Sequence, residues 1–302
     1  MTYSCWYRPH VITIYLYSVA IVNERENNVL DEKKFRVISK QETADLTFEV
    51  IELDSLGGSD DLDVANKVFL ANQANIHIKM IRITLRNSTV IIEPGALFFM
   101  KGQLTLESNA QGGLAKGLMR KFLSGETLFQ STIKGTGEVY LEPSFGNYLL
   151  FDLENDSLVF DKGTFCCGSS KIEIAAKLQK NISSAVFGGE GLFQTEAKGS
   201  GIVVLNCPVP ENELFVYELV AGEKLSIDGN FSLARTGSVS FAAEKSAKSL
   251  FKSVTSGEGL LQTFTGPGIV WIAPTKPVYD NIRVFTANSQ ISEAKNAMGN
   301  KS

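Results

Sequence analysis

Histidine is nearly missing from this chain: two in 302 residues, His10 and His77. A zinc site built on two histidines would need both, although they stand far apart in the sequence. A cupin-like metal site, which needs several histidines converging inside a barrel, is excluded. His77 alternates with Ile76 and Ile78 and is expected as a solvent-facing strand residue. Histidine general-base chemistry therefore has almost no candidate.

Cysteine is also sparse. The four are Cys5, Cys166, Cys167 and Cys207, with no C-x-x-C among them. Zinc ribbons and thioredoxin-like redox motifs are thereby removed. Cys166 and Cys167 are adjacent, and neighbours in a strand face opposite ways. One is expected in the core and the other outward. Such usage suits a reducing compartment, and a cytoplasmic location is the expectation.

Long apolar runs are lacking as well. Val11–Val22 is a 12-residue stretch without charge, preceded by Arg8. It falls short of the roughly 18 residues a membrane span needs. Its length suits a signal-peptide core with Ser18-Val19-Ala20 as a small-x-small site, or a short anchor. The reading preferred is an extra strand or an upstream start outside the fold; export or membrane association through residues 1–22 is the alternative. Nor is there a basic field to attract nucleic acid or an anionic membrane. The net charge is −4, and residues 23–66 hold 12 acids against 5 bases. Phosphate-loop, G-x-S-x-G and H-E-x-x-H motifs are all missing.

Glycine is the residue in excess. There are 26 Gly against 8 Pro, and 23 of the glycines lie between Gly95 and Gly268. That density predicts many tight turns between short strands. Much of it is one pattern used three times. Gly125-Glu126-Thr127-Leu128-Phe129-Gln130, Gly189-Glu190-Gly191-Leu192-Phe193-Gln194 and Gly257-Glu258-Gly259-Leu260-Leu261-Gln262 share G-E-x-L-[FL]-Q at periods of 64 and 68 residues. Each continues into a Gly-x-Gly: Gly135 and Gly137, Gly199 and Gly201, Gly266 and Gly268. An apolar run and a proline (Pro143, Pro208, Pro274) follow. This reads as strand, glycine hairpin, strand, then a residue that cannot donate to a ladder. Upstream of each copy an apolar strand end meets an acid-plus-glycine turn, at Gly95, Gly163 and Gly229. Alternating strands follow at Leu104–Leu106, Ile172–Ile174 and Val239–Phe241.

The predicted fold is all-β: a β-sandwich or double-stranded β-helix-like body of three pseudo-threefold repeats, with one or two short helices. Residues 1–34 are read as an extension outside the fold. Residues 35–282 form a single β domain, with repeats at about 76–147, 148–214 and 215–282, and 283–302 form a polar tail. Thr47–Leu53 alternates as a strand of the N-terminal region. Ile76–Leu85 changes phase between Met80 and Ile81, which predicts a bulge there. Cationic-apolar connectors at Ala115–Phe122 and Ala247–Lys252 read as helical turns that cap the sheet. A third, around Lys177 to Val186, is less regular.

These motifs, together with Ile91–Leu97 and Tyr140–Gly146, resemble the "altered inheritance of mitochondria" protein twenty-four family from about Phe35 to Ile282. The resemblance implies a fold similar to the tryptophan RNA-binding attenuator protein superfamily, with three β units in one chain. It carries no catalytic residues across, and the namesake's RNA and tryptophan contacts do not transfer. It also implies bacterial members of unsettled function and eukaryotic relatives tied to mitochondrial inner-membrane organisation.

No catalytic, cofactor or metal residue is therefore assigned. The one speculative cation site is Glu126, Glu190 and Glu258, which would form an oxygen-rich cluster if a threefold axis brought them together. The preferred reading is that each Glu serves its own turn. The repeated Gln130, Gln194 and Gln262 are then expected to bond backbone at a strand start. The function expected is a non-catalytic β scaffold or binding protein, working through a protein or membrane-associated partner. The alternative is a small-molecule or nucleic-acid binding module by analogy of fold.

Overall fold

The structure is a computed structural model, and it describes residues 35–108, 130–179, 192–245 and 260–283. It is mostly β, with short helices, as the composition predicts. The strands in chain order are β1 (Phe35–Glu42), β2 (Leu46–Leu53), β3 (Lys79–Ile92), β4 (Leu97–Ser108), β5 (Ser131–Leu141), β6 (Asn147–Phe160), β7 (Phe165–Ser169), β8 (Ile172–Gln179) and β9 (Leu192–Cys207). They continue with β10 (Phe215–Leu219), β11 (Lys224–Asp228), β12 (Ser232–Thr236), β13 (Ser240–Lys245), β14 (Leu260–Thr265) and β15 (Gly268–Ile272). Helix α1 is Leu62–Gln73, and residues 276–283 form a second helical segment, α2.

The chain packs as two compact units. The first holds the described residues through Ser157, with Phe165–Ala175 and Ala197–Leu205. Antiparallel pairs run β1–β2–β3–β5–β4, and β3 also pairs β7. Strand β2, Leu46-Thr47-Phe48-Glu49-Val50-Ile51-Glu52-Leu53, is buried along nearly its whole length. Leu46, Phe48 and Val50 join Ile81, Ile83, Leu85, Ile133 and Val139 in the main core. On the other face Ile51 packs with Met80 and Tyr140. The acids of β2 are buried and each has a cationic partner: Glu49 pairs with Arg82 at 2.7 Å, and Glu52 with the largely exposed Arg36 at 2.6 Å.

The bulge predicted between Met80 and Ile81 is not there. The β2–β3 register runs unbroken from Lys79 to Leu85. Met80 looked out of phase only because it serves the opposite face, with Ile51 and Tyr140. The true phase change comes later. Ile81, Ile83 and Leu85 share the core with Val90 and Ile92, so the parity flips between them. Asn87 takes a φ of 51° there, and the β3–β5 register shifts between Leu85 and Ser88. The same device recurs in β6, of equal length, where Asn155 has a φ of 52°. Asparagine tolerates this left-handed backbone better than most residues do.

The second unit comprises Leu158–Thr164, Ala176–Glu196 and the described residues from Asn206 onward. Strands β10, β15 and β12 pair in that order, and β12 also pairs Leu158–Phe160 of β6. A separate three-stranded sheet has the order β11–β14–β13. One core draws on both sheets: Leu219, Ile227, Val239, Phe241, Phe264, Val270 and Ile272. That interleaving of two inner faces is a sandwich arrangement.

The Gly-x-Gly pairs do not make hairpins. Gly135 and Gly137 lie inside β5, and Gly199 and Gly201 inside β9. Gly266 lies between β14 and β15 and Gly268 begins β15, and these two strands belong to different sheets and do not pair. What the glycines supply is close approach of a neighbouring strand. A Cβ on Gly137 (φ 153°) would stand 2.2 Å from the Lys101 carbonyl oxygen. One on Gly268 would stand 2.2 Å from Thr236 Oγ1. The acid-plus-glycine pairs do form turns, with Gly95 at φ 86° and Gly163 at φ 84°.

Both cysteines of the adjacent pair are buried, contrary to the expectation of one in and one out. Cys166 is 6 % exposed and Cys167 is fully covered. A register shift between Phe165 and Cys167 breaks the simple alternation of β7. His77 precedes β3 and is half-buried rather than solvent-facing in a strand; its Nε2 lies 3.0 Å from Asn75 Oδ1. Helix α1 went unanticipated. The helical connectors predicted at 115–122 and 247–252 lie outside the described residues, and Lys177 belongs to β8, paired with Glu196 at 2.6 Å.

Candidate functional site

Two of the three repeated glutamines converge on one region of the second unit. Gln194 and Gln262 are 5 % and 4 % exposed. A buried carboxamide must satisfy two donors and an acceptor, so its partners are imposed by the fold. Gln194 Nε2 donates to Asp161 Oδ1 at 3.2 Å, and its Oε1 accepts from Arg235 Nη1 at 2.8 Å. Gln262 Nε2 donates to Asn230 Oδ1 at 3.2 Å, and its Oε1 accepts from Ser232 Oγ at 2.9 Å. Asp161 belongs to the acid-plus-glycine turn of its own repeat. Asn230 follows Gly229 in the turn of the next. Each glutamine therefore ties its motif to the turn that opens the same repeat, through side chains rather than through backbone as expected. In the first copy, Gln130 Nε2 is buried without a partner. The register there pairs Ser131 with Ile92, which places Gln130 next to Glu93 along the ladder.

Arg235 is the centre of this network, and nothing in the repeat pattern announced it. It is 3 % exposed, with its guanidinium carbon 4.9 Å from the Phe241 ring centre and 5.9 Å from that of Phe264. Burial pulls its pKa down to about 10, against the opposing charges of Asp161 and Glu196. Its Nε makes no hydrogen bond. Burial also raises the Asp161 carboxyl, while Gln194 and the charges of Arg235 and Lys276 hold it partly down.

Beside this network lies a cavity of about 220 Å³, all within the second unit. Asp161, Asn230 and Ser232, three partners of the two glutamines, are in its lining. Cys207 borders it too, its thiol pushed up to about 11, chiefly by burial. A thiol so buried is a poor nucleophile.

A different feature of the same unit is the strand β10. Among the described residues it pairs with β15 alone. Phe215, Val216 and Tyr217 are 53 %, 49 % and 40 % exposed, and the two aromatic rings meet edge to face at 6.4 Å.

The speculative cation site cannot be placed: Glu126, Glu190 and Glu258, with Gly125, Gly189 and Gly257, lie outside the described residues. Among the described residues no group of three acids, histidines or cysteines is arranged to hold a metal ion.

The sequence profile described as mitochondrial biogenesis AIM24 matches residues 73–275, two-thirds of the chain. The chain belongs to the AIM24 family. An uncharacterised protein of Streptococcus pyogenes serotype M6 is 24 % identical over 222 residues, covering 69 % of this chain and 86 % of that protein. A crystal structure of another Streptococcus pyogenes protein, from a structural genomics effort, superposes with a TM-score of 0.52 at 20 % identity. It covers 70 % of this chain and 94 % of that one, and shows that the fold is shared. The AIM24 match takes in β3 through β15, so the Gln194 and Gln262 networks, the cavity and β10 all lie inside the family's segment. Strands β1 and β2 and most of α1 precede it.

Proposed function

We propose that this AIM24-family chain is a non-catalytic scaffold or binding protein, built of three β repeats in a manner similar to the tryptophan RNA-binding attenuator protein. It works in the cytoplasm through a protein or a membrane-associated assembly. The observation that carries the reading is the β10 edge. An edge strand offers unpaired backbone donors and acceptors, which proteins ordinarily guard with charge or proline. This one carries a single exposed charge, Glu218, and presents Phe215, Val216 and Tyr217 to solvent beside it. Aromatic anchors beside a free backbone edge are the parts used when a partner adds a strand to a sheet. Among the described residues no helix is long and apolar enough to cross a membrane.

The test is proximity cross-linking with the double variant Phe215→Lys and Tyr217→Lys. Both side chains are exposed, so the unfolding midpoint should stay within the small range of surface substitutions. A partner captured by the native chain should be lost from the variant. Capture of the same partner set by both proteins would remove the edge from the mechanism.

A further inference from the structure

The first unit has an open edge of its own, independent of β10. Among the described residues β4 pairs β5 alone, so its other side offers backbone donors and acceptors to a further strand. We propose that this edge pairs antiparallel with the β4 of a second copy of the chain, about a twofold axis at Leu104.

Length and weak guarding come first. β4 has 12 residues, against eight in the edge strand β1 and five in β10. Proteins keep edges from pairing by short strands, charge, proline or bulges. β4 contains no proline and two charges, Lys101 and Glu107. Its register against β5 shifts between Leu97 and Phe99, and then runs unbroken from residue 99 to residue 108.

An open apolar row comes second. Met100 stands opposite Val139 and Leu106 opposite Ile133, and both partners belong to the main core. Directly opposed residues share a face, so Met100, Leu104 and Leu106 carry the apolar side of the sheet out to its rim. Leu104 packs against the core, while Met100 and Leu106 are 38 % and 42 % exposed. A twofold axis perpendicular to the sheet keeps the two faces distinct. The row of the second copy then continues the first on the same side, and apolar surface left open in each chain becomes shared.

Charge decides the direction and the occupant. Lys101, Gln103, Thr105 and Glu107 alternate with the apolar row and are exposed on the opposite face. Antiparallel pairing centred on Leu104 sets Lys101 of each copy opposite Glu107 of the other. It also sets Gln103 opposite Thr105, and Leu106 opposite Gly102, which has no side chain of its own. Parallel in-register pairing would set lysine against lysine and glutamate against glutamate, and like charges directly opposed are destabilising. The strand is thus complementary to itself read backwards, and a second copy answers both of its guarding charges. Such a contact is isologous, so it closes at two chains and uses up the edge.

The experiment is sedimentation velocity of the full chain at low salt, from micromolar to submillimolar protein. The native chain should pass from monomer to dimer as concentration rises. Lys101→Glu and Glu107→Lys change exposed side chains and should leave the unfolding midpoint nearly where it was. Each sets like charges together at both ends of the pairing, and should weaken the dimer at least about tenfold. Mixed with each other, the two variants should form a heterodimer, because one then supplies both acids and the other both bases. The protein carrying both exchanges should dimerise like the native chain. So should the Phe215→Lys and Tyr217→Lys protein, which makes failure of the β10 reading and failure of this one separable. A chain that stays monomeric throughout overturns the proposal and leaves the β4 edge to a different partner. Undiminished dimers of both charge variants, no recovery on mixing them, or open-ended assembly in place of a dimer overturn it as well.

Discussion

Glycines of one repeat pattern carry different constraints at the residue scale. Gly95 sits in a turn at φ 86°, yet a Cβ there would meet nothing within 4 Å. Gly137 combines φ 153° with a Cβ position 2.2 Å from the Lys101 carbonyl oxygen, which is backbone and cannot swing aside. Gly95→Ala therefore meets conformational strain alone, about 1–2 kcal/mol. Gly137→Ala adds a steric clash that must part β4 from β5, and about 2–4 kcal/mol is expected. Urea unfolding of the two variants checks the order: Gly137→Ala should be the less stable. Equal losses would mean that strand approach is not what the Gly-x-Gly preserves. The buried guanidinium of Arg235 shows a second kind of constraint. Its lowered pKa marks a charge held where burial opposes it, tolerated because Gln194 accepts from it and two aromatic rings flank it.

Helix α1 shows how an element can form with little help from the core. None of its residues is buried, and Leu62, Phe69 and Leu70 are largely exposed. Tertiary packing usually supplies most helical stability, so local signals weigh more here. Asp61 is the N-cap: its Oδ1 accepts from the backbone N–H groups of Asp63 at 2.8 Å and Val64 at 2.9 Å. Removing that cap by Asp61→Ala should cost the helix about 1 kcal/mol. Amide hydrogen exchange should then speed up across Leu62–Gln73 and stay unchanged in β2 and β3. Unchanged exchange in the helix would show that its stability comes from packing after all. The segment Ser59–Asp63 reads as an acidic loop because its polar residues are visible. Its last residues are also a helix start, and the weak apolar pattern that follows hides this.

At the scale of the whole molecule, cysteine chemistry is governed by burial. Cys166, Cys167 and Cys207 are free thiols, all buried. Burial raises Cys167 well above the ordinary thiol range, with Cys166 beside it adding to the effect, and holds Cys207 at about 11. Thiolate is the reactive form, so Cys167 and Cys207 should be inert in the folded chain, and burial shields Cys166 from reagent. A thiol-reactive chromophore should find no more than one fast site in the native protein, Cys5, and all four cysteines of the sequence in denaturant. Fast reaction of a second thiol under native conditions would contradict the packing around β7 or β9. Covered thiols agree with the sparse cysteine usage of the sequence, since neither a disulfide framework nor a redox motif calls for exposed ones.

Composition and local pattern by themselves settled the β class, the turns at Gly95 and Gly163, the strand at Thr47–Leu53 and the family. These depend on periodicity, on backbone freedom at glycine and on motif spacing, all of which are local. Other features were open to tertiary structure alone. The Gly-x-Gly pairs look like hairpins in one dimension, and become strand interiors only when Lys101 or Thr236 is found pressed against them. The phase of β3 breaks at Asn87 rather than Met80, because which face is apolar depends on what covers it. Gln194 and Gln262 were visible as repeats, but their partners Asp161, Arg235, Asn230 and Ser232 lie 30 to 41 residues away. A hydrogen bond over that separation exists only once strands are in register. The cavity is likewise a property of register and packing, which no local reading of the chain contains.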